Sequence, residues 1–422
     1  MSVSIGPQTI LKREYPKADM MFAKPIDSTE CGTIRLKVTT SYTQGQRKYM
    51  EDYHNFTMKR VINQMDQSAM EFAYFGLFDG HGGGQAAKFA NDIMAKKLLA
   101  NIDFWSNDDA KILKAMTSSF YACHHDMWQE PEMWSGQSGV HRTTAGTTAT
   151  VVVIRRCKVY IANVGDSAVV LGTKTKTDGQ IRTNLSKEWK SDKITTDHRP
   201  QDPKESKRIV ECGGRVILSK TAPRVTLSLL NHRNMFYPQS SPHLAISRSL
   251  GDLWSYNKEK GKYVVSPFPD VQVFRLNPDT HKCMIIASDG LWDVVKPQDA
   301  VNVVQKCVGN SEHLQRMNSK DSSMQNKLNP ARQLVDLALA RWNQVRVPSD
   351  NITVMCICFY NNQKDDYPLN RPLQHADDAQ ECIPITVSHS LRSLHCPNQW
   401  QPKINMIPPE ITKSPSLPIV RI

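Results

Sequence analysis

The sequence of 422 residues lacks several patterns that would assign it to a definite class of protein. It has no stretch of 18 apolar residues and no apolar N-terminal h-region, so neither a membrane-spanning helix nor a secretory signal is predicted. No two of its ten cysteines form a C-x-x-C pair, which argues against a zinc ribbon and against a thioredoxin-like site. We therefore expect a reduced, soluble, intracellular protein without a membrane partner.

The chain also lacks a run of five or more basic residues, although its net charge is +12. A positive charge of this size favours an anionic partner such as a phosphorylated substrate, a nucleic acid or a membrane surface. The excess is spread along the chain, with only a modest concentration between Lys204 and Arg233. A basic arm that binds nucleic acid is therefore weakly supported.

Periodicity divides the chain into a leader, one domain and a tail. Residues 1–33 show no long periodic pattern and are predicted to be a flexible leader, whereas 34–360 contain no domain-scale linker. Nine of the 24 prolines fall in 361–422, which is predicted to be a disordered, Pro-rich tail. Within the domain, 215–243 are irregular and basic, and 309–329 are polar and predicted to be a surface insertion.

Runs of β-branched and apolar residues alternate with helical patterns along the domain. Strands are predicted at 33–38, 72–77, 148–154, 157–162, 168–171, 281–288 and 352–360, and helices at 85–99, 110–128, 203–211, 297–308 and 330–345. The short spacing of the three strands between 148 and 171 predicts consecutive hairpins of an antiparallel sheet.

Acidic residues stand at the ends of predicted strands. Asp79 and Asp289 each follow a buried strand, and Asp350 precedes the last one, while Glu51 lies in a charged turn. Such oxygen ligands suit Mg²⁺ or Mn²⁺, and Gly80 would let the backbone approach a metal closely. Two such ions about 3.5–4 Å apart can convert a shared water into a hydroxide that attacks phosphorus.

A cation and an imidazole accompany these acids. Arg47 would match phosphate oxygens with its guanidinium fork, and His81 would protonate a leaving alkoxide. Each residue also has a structural explanation, as a surface cation or a hydrogen-bonded turn residue. Asp166 and Asp252 each follow a glycine and would simply order turns, and Asp293 would either contact a further metal or cap the helix that follows it. These residues alone leave both interpretations open.

Eight motifs decide the matter when they are taken as a set. They are GQRKYMED at 45–52, FDGHGG at 78–83, GTTA at 146–149, NVGDS at 163–167, DHRP at 197–200, SRSLGD at 247–252, SDGLWD at 288–293 and SDN at 349–351. Over roughly residues 34–360 the chain resembles the metal-dependent Ser/Thr protein phosphatases of the PPM family, also called type 2C. Residues 127–128, 253–256 and 341–342 are most similar to its delta branch, which acts in stress and DNA-damage responses.

The resemblance implies an α+β fold, an αββα sandwich of two antiparallel sheets flanked by helices. It also implies two Mg²⁺ or Mn²⁺ ions and a weaker third. The implied metal-site residues are Asp79 as the bridging carboxylate, the Gly80 carbonyl, Asp289 and Asp350, Glu51 acting largely through waters with Asp52 behind it, and Asp166 and Asp293 at the weaker third ion.

The same resemblance implies roles for the remaining candidates. Arg47 would hold the substrate phosphate and His81 would be the general acid. Residues 215–243 fall where the family has its flap, which helps to choose substrates, and their basic character would suit acidic phosphosites. The departures from the family pattern, Ala168 and Ala145, lie outside the implied metal ligands.

We therefore expect hydrolysis of phosphoserine and phosphothreonine in phosphorylated protein substrates. We expect a monomer in the nucleus or cytoplasm, without direct contact with nucleic acid. One alternative is a pseudophosphatase scaffold, which would have lost metal ligands that this chain retains in full. The other is a different metal-dependent phosphohydrolase such as a nuclease, which the basic charge permits.

Overall fold

The β-branched and aromatic runs of the sequence form the strands of a layered α+β structure. The computed structural model describes residues 20–22, 34–62, 69–129, 144–174, 188–219, 222–227, 242–316 and 328–361. The rest of the predicted leader 1–33 and of the predicted tail 361–422 lies outside the described residues.

The strands of the described residues follow one another along the chain from β1 to β18. They are β1 (Met20–Phe22), β2 (Ile34–Thr43), β3 (Tyr53–Ile62), β4 (Ala69–Phe78), β5 (Gly80–His81), β6 (Gly146–Thr147), β7 (Ala149–Arg155), β8 (Lys158–Val164), β9 (Ala168–Lys174), β10 (Trp189–Lys193), β11 (Gly214–Ile217), β12 (Arg224–Leu227), β13 (Leu250–Gly251), β14 (Tyr256–Asn257), β15 (Lys262–Tyr263), β16 (Asp270–Arg275), β17 (His281–Ala287) and β18 (Ile352–Asn361).

The α-helices of the described residues fall close to the predicted positions, except for the single turn Asp289–Trp292, which was not predicted. They are α1 (Gln85–Ala100), α2 (Asp109–Gln129), α3 (Pro203–Glu211), α4 (Asp289–Trp292), α5 (Pro297–Arg316) and α6 (Pro330–Val345). Asp202 caps α3 by accepting hydrogen bonds from the backbone amides of Lys204 and Glu205, and a proline follows this cap at the first helical position. None of the described helices is long and apolar enough to cross a membrane.

Two antiparallel sheets form the centre of the molecule. The first sheet has the strand order β16-β8-β7-β4-β3, and the second has the order β1-β2-β18-β17-β9-β10. Side chains from both sheets, including Phe75 and Val152 of the first and Met284 and Ile357 of the second, share one buried cluster. The sheets therefore pack face to face, with a dry apolar layer between them.

Helices cover the outer face of each sheet. Met94 of α1 and Phe120 of α2 are buried against Phe72 and Val153 of the first sheet. A separate apolar cluster lies between the second sheet and helices α5 and α6. The predicted αββα sandwich is confirmed. Burial on both faces explains why the central strands are apolar at nearly every position.

The chain changes sheets after β8, where the sequence predicted a further hairpin. β7 and β8 do form a hairpin, but β9 pairs with β17 and β10 of the second sheet. Gly165, at φ +96°, lies in the crossing, and a Cβ there would meet Thr148 Cγ2 at 2.5 Å. The hairpin prediction for 168–171 was wrong because strand spacing does not specify which sheet a strand joins.

Three predicted irregular regions contain regular structure. β11 and β12 form an antiparallel ribbon inside 215–243, where Val225 is buried beside Ile209 of α3. Helix α5 continues to Arg316, eight residues into the predicted insertion 309–329. In the predicted leader, β1 pairs with β2. The rest of the predicted flap and insertion, at 220–221, 228–241 and 317–327, lies outside the described residues.

A buried carboxylate ties α3 to the segment that leads into β13. Glu205 accepts hydrogen bonds from Arg248, Arg208 and the Ser247 hydroxyl. Burial would raise the pKa of Glu205, but the hydrogen bonds and charges of the two arginines outweigh it and lower the pKa from 4.5 to about 2. Folding is therefore linked to ionisation of this group.

We predict that the Glu205 pairing gives the protein an acid-dependent stability. Because the folded-state pKa is depressed, the contribution is complete above about pH 4.5 and is lost as the pH falls towards 2. Between about pH 5 and pH 3, the free energy of unfolding should fall by about 2 kcal/mol more in the wild type than in Glu205→Gln. Urea unfolding at each pH measures the difference.

Glu211→Gln provides the matched control, since Glu211 ends the same helix but has a half-exposed side chain. This variant should follow the wild-type pH dependence. Parallel pH dependences for the wild type and Glu205→Gln would show that the Glu205 network does not couple folding to protonation.

Candidate active site

Asp79 is fixed where β4 ends, next to the start of β7. The backbone amide of Asp79 donates to the Thr148 hydroxyl at 3.1 Å, and the Thr148 amide donates to the Asp79 carbonyl at 2.9 Å. The Thr147 hydroxyl also donates to this carbonyl. These bonds hold the Asp79 backbone in place and leave its carboxylate available for other contacts.

Asp52 lies buried between the ends of β17 and β18. Its Oδ2 accepts hydrogen bonds from the Thr353 and Ser288 hydroxyls at 2.7 and 3.0 Å. Its Oδ1 meets no hydrogen-bond donor among the described residues, and the Asp79 carboxyl lies near enough to act on the pKa of Asp52. A buried carboxylate oxygen in this state is suited to a cation or a bound water.

The segments that carry Glu51 and Asp350 are joined by one side chain that the sequence interpretation did not single out. Asn351 Oδ1 accepts from the Glu51 amide at 2.7 Å, and its Nδ2 donates to the carbonyls of Gln44 and Tyr49 at 2.9 and 3.0 Å. Its place in the SDN motif was the available signal. Asn351 therefore sets the position of the 44–51 loop relative to Asp350.

Glycines allow these segments to approach closely. A Cβ on Gly80 would stand 2.4 Å from the Glu51 carbonyl oxygen, and one on Gly45 would stand 2.1 Å from the Asp350 carbonyl oxygen. Side chains at either position would push the segments apart. The backbone of Glu51 therefore lies directly against Gly80.

Arg47 contacts one of the predicted metal ligands. Its Nη2 lies 2.5 Å from Asp350 Oδ2, and its side chain is 56% exposed. The guanidinium therefore stands at the solvent side of the carboxylates, within reach of an anion that arrives there.

The carboxylates are close enough to shift one another's pKa values. Burial and then the charges of Asp52, Asp289, Asp166 and Asp350 raise the pKa of Asp79 well above its ordinary value. Burial, followed by the charge of Asp166, likewise raises the pKa of Asp289 well above its ordinary value. Burial raises the pKa of Asp52 to about 6. Several negative charges in a poorly solvated space require a counter-ion or protons.

The donor set fits a hard divalent cation. It consists of carboxylate oxygens, one of them without a donor, and a glycine backbone that allows close approach. Among the described residues, no three His, Cys, Asp or Glu side chains form a ready-made coordination shell. Mg²⁺ would therefore complete its shell with waters and carbonyl oxygens, as it usually does in proteins.

His81 is held by Asp252, a contact that the sequence interpretation did not predict. His81 Nε2 lies 2.7 Å from Asp252 Oδ2, and Asp252 also accepts from the Ser249 hydroxyl and from Trp254 Nε1. A Cβ on Gly146 would overlap both partners, at 2.1 Å from Asp252 Oδ2 and 2.4 Å from His81 Nε2. The His81–Asp252 pair, called the dyad below, therefore requires glycine at position 146.

The backbone around Asp252 is equally constrained. Asp252 is 1% exposed and has φ +47°, a left-handed conformation that non-glycine residues seldom adopt. Its amide donates to the Ala145 carbonyl, and the Gly251 amide donates to Nδ1 of His124. Burial lowers the pKa of His124 to about 3, so this ring is neutral and able to accept.

Asp252 also determines the charge environment of His81. Burial alone would lower the pKa of the imidazole, but the charge and hydrogen bond of Asp252 reverse this and raise it. The sequence offered one signal for the contact, an aspartate within a motif of the family set. The pairing itself spans 171 positions of sequence and could not be read from local pattern.

Asp166 and Asp293, the residues expected at a weaker third ion, lie on either side of Arg199. The guanidinium Nη2 is 3.1 Å from Asp166 Oδ2 and 3.5 Å from Asp293 Oδ1. Asp166 is almost fully buried, whereas Asp293 is half exposed. Burial raises the pKa of both carboxyls, and the charge of Arg199 opposes that rise.

Sequence comparison matches the chain to known proteins over the region just described. The family model for protein phosphatase 2C matches residues 36–344. Protein phosphatase 2C homolog 2 of Schizosaccharomyces pombe is 29% identical over 287 residues, which are 66% of this chain and 64% of that protein. A probable protein phosphatase 2C of Caenorhabditis elegans is 28% identical, over 66% of this chain and 65% of its own length. The chain thus spans less than two thirds of either relative.

Structural comparison agrees on the fold. A serine-threonine phosphatase 2C from Toxoplasma gondii superposes with a TM-score of 0.58 at 23% identity, over 82% of this chain and all of that one. At this level of identity the likeness concerns the fold. The family model, however, covers well over half of the chain. The chain belongs to the protein phosphatase 2C family.

Proposed function

We propose that this protein hydrolyses phosphoserine and phosphothreonine in proteins, at a site for two Mg²⁺ or Mn²⁺ ions. The observation that carries the proposal is the electrostatic coupling of Asp52, Asp79, Asp289 and Asp350, which come from separate segments of both sheets. Carboxylates crowded in this way repel one another and destabilise the folded protein unless cations compensate their charge.

The residues that would hold the ions are those implied by the family motifs. They would be Asp79, the Gly80 carbonyl, Asp289, Asp350 and Glu51, with Asp52 behind Glu51. When bound, the ions would lower the pKa of a water that attacks phosphorus and would balance charge on the phosphoryl group.

Arg47 would bind and orient the substrate phosphate. Its guanidinium is exposed and pairs with Asp350. A phosphate dianion offers two oxygens to the guanidinium fork and can replace this carboxylate contact. The net charge of +12 on the whole chain favours the approach of phosphorylated segments.

His81 would donate a proton to the leaving seryl or threonyl oxygen. Asp252 accepts a hydrogen bond from Nε2, which fixes the ring orientation and keeps a proton on this nitrogen. The other ring nitrogen, Nδ1, would then be the atom that donates when the imidazole is protonated. Asp252 acts through His81 and is therefore a positioning residue.

We also propose a cellular setting from the motifs that resemble the delta branch. Phosphorylated proteins of stress or DNA-damage signalling would be the substrates of a monomer in the nucleus or cytoplasm. The basic residues between Lys204 and Arg233 support a preference for acidic phosphosites.

We predict that Asp79→Asn and Asp289→Asn each reduce the rate of phosphopeptide hydrolysis by more than about 100-fold, since even residues behind metal ligands contribute 10- to 100-fold. Phosphate release from a phosphothreonine peptide with Mn²⁺ or Mg²⁺ measures this, and a DNA substrate is assayed in parallel. Asp92→Asn is the matched control, because Asp92 lies on exposed α1 surface and pairs only with Lys88 and Asn91 in the described contacts.

The wild type should lose its activity in EDTA and should leave the DNA intact. Hydrolysis that survives EDTA, or equal rates in the wild type and Asp79→Asn, would contradict the metal-dependent mechanism. Cleavage of DNA without phosphopeptide hydrolysis would support the nuclease alternative, and no hydrolysis of either substrate would support a pseudophosphatase.

For the dyad, we predict that Asp252→Asn slows hydrolysis of a phosphoserine peptide by about 100-fold, the lower range for general acid catalysis. An aryl phosphate with a good leaving group needs little protonation, so its kcat should change far less. Trp254→Phe is the control, since it removes a donor from Oδ1 of Asp252 and leaves the His81 contact on Oδ2. Equal losses for both substrates would show that Asp252 does not act through the general acid.

A further inference from the structure

Hydrogen bonds of the preceding residue, His198, fix the position of the Arg199 backbone. The adjacent His198 is 2% exposed, and its backbone amide donates to the Gly165 carbonyl at 3.0 Å. In return, the Gly165 amide donates to His198 Nδ1 at 3.1 Å. These two hydrogen bonds between His198 and Gly165 hold Arg199 beside Asp166, the residue that follows Gly165.

A second set of contacts holds the same segment from the other side. The Ser247 amide donates to the His198 carbonyl at 2.9 Å, and His198 Nε2 lies 3.2 Å from Asp270 Oδ2. Arg248 pairs with both Asp270 and the buried Glu205. The position of the Arg199 backbone is therefore determined by elements outside the carboxylate cluster.

Acidic side chains surround the Arg199 guanidinium. It contacts Asp166 Oδ2 and Asp293 Oδ1 directly, and the charges of Asp289 and Asp197 also act on it. The Arg199 side chain is 26% exposed and that of Asp166 only 5%. The contact is thus partly shielded from water, where an ion pair is stronger than at an open surface.

A peripheral cation held by Asp166 and Asp293 would bind the same two carboxylates that Arg199 contacts. A guanidinium and a divalent cation repel each other and compete for the same carboxylate lone pairs. Binding of a cation between Asp166 and Asp293 would therefore require Arg199 to move away. The cost of breaking the Arg199 contacts would make the binding free energy of the cation less favourable.

We propose that Arg199 is a resident counter-ion of the Asp166–Asp293 pair, which competes with a divalent cation there and so keeps this peripheral site weak. The inference rests on the metal site of the proposed function. It assigns a role to the arginine of the DHRP motif, and it explains why a carboxylate pair beside the main cluster can remain stable without a bound ion. A purely structural ion pair would hold the loop without affecting cation affinity.

The test is a titration of the full-length protein with Mn²⁺ in the absence of substrate, followed by the electron paramagnetic resonance signal of free Mn²⁺. Arg199→Ala should strengthen the weakest class of Mn²⁺ sites by about fivefold or more, the lower range of measured coupling between sites. The stronger classes should change little. Adding Asp166→Asn to Arg199→Ala should abolish the gain.

Arg332→Ala is the matched control, because Arg332 also pairs with an aspartate, Asp336, but on the exposed face of α6. Its Mn²⁺ isotherm should equal that of the wild type. Arg199→Gln, which keeps most of the side-chain length without the charge, gives a second measurement if the alanine variant does not fold. Circular dichroism establishes folding for each variant.

An unchanged or weakened weak class in Arg199→Ala or Arg199→Gln would overturn the proposal, as would failure of both variants to fold, which would make the pair structural. This readout is independent of catalysis. Absence of phosphatase activity in the wild type would refute the proposed function and would leave the competition between Arg199 and Mn²⁺ measurable in the same titration.

Discussion

Mutual repulsion among closely placed carboxylates is the constraint on which the site depends. Asp79 and Asp289 come from strands of different sheets, yet besides burial the charges of Asp52, Asp166 and Asp350 raise the pKa of both, and the charge of Asp289 also raises the pKa of Asp79. Crowding such charges and partly shielding them from water is unfavourable for each ion that no opposite charge compensates. The surrounding structure must hold these groups together until protons, arginines or metal ions compensate the charge.

The αββα sandwich supplies that rigidity. The apolar layer between the sheets fixes the strand ends. Asn351 and Thr353 then form hydrogen bonds with the loop that carries Glu51 and Asp52. Two arginines compensate part of the charge at the rim, Arg47 at Asp350 and Arg199 at Asp166. In both places a cationic side chain already pairs with the carboxylate, so the proposed binding of phosphate or metal would exchange one ionic contact for another.

The sequence allowed the prediction of those features that depend on local pattern. The apolar runs of β4 and β17 and the Asp-Gly pairs that follow them were recognised, since burial and turn chemistry act over a few residues. The transfer of β9 to the second sheet and the His81–Asp252 contact were not, because both depend on which distant segments pack together. The ribbon of β11 and β12 was missed because its two strands have only four residues each.

The central claim, that the carboxylate cluster exists to bind divalent cations, is tested most directly by melting temperature at neutral pH. Without metal, Asp79→Asn should melt at a higher temperature than the wild type in EDTA, because it removes one of the repelling charges. With Mn²⁺ the order should reverse, since only the wild type gains the stability of bound ions. A wild type that Mn²⁺ does not stabilise, or an Asn variant less stable than the wild type in EDTA, would contradict the account.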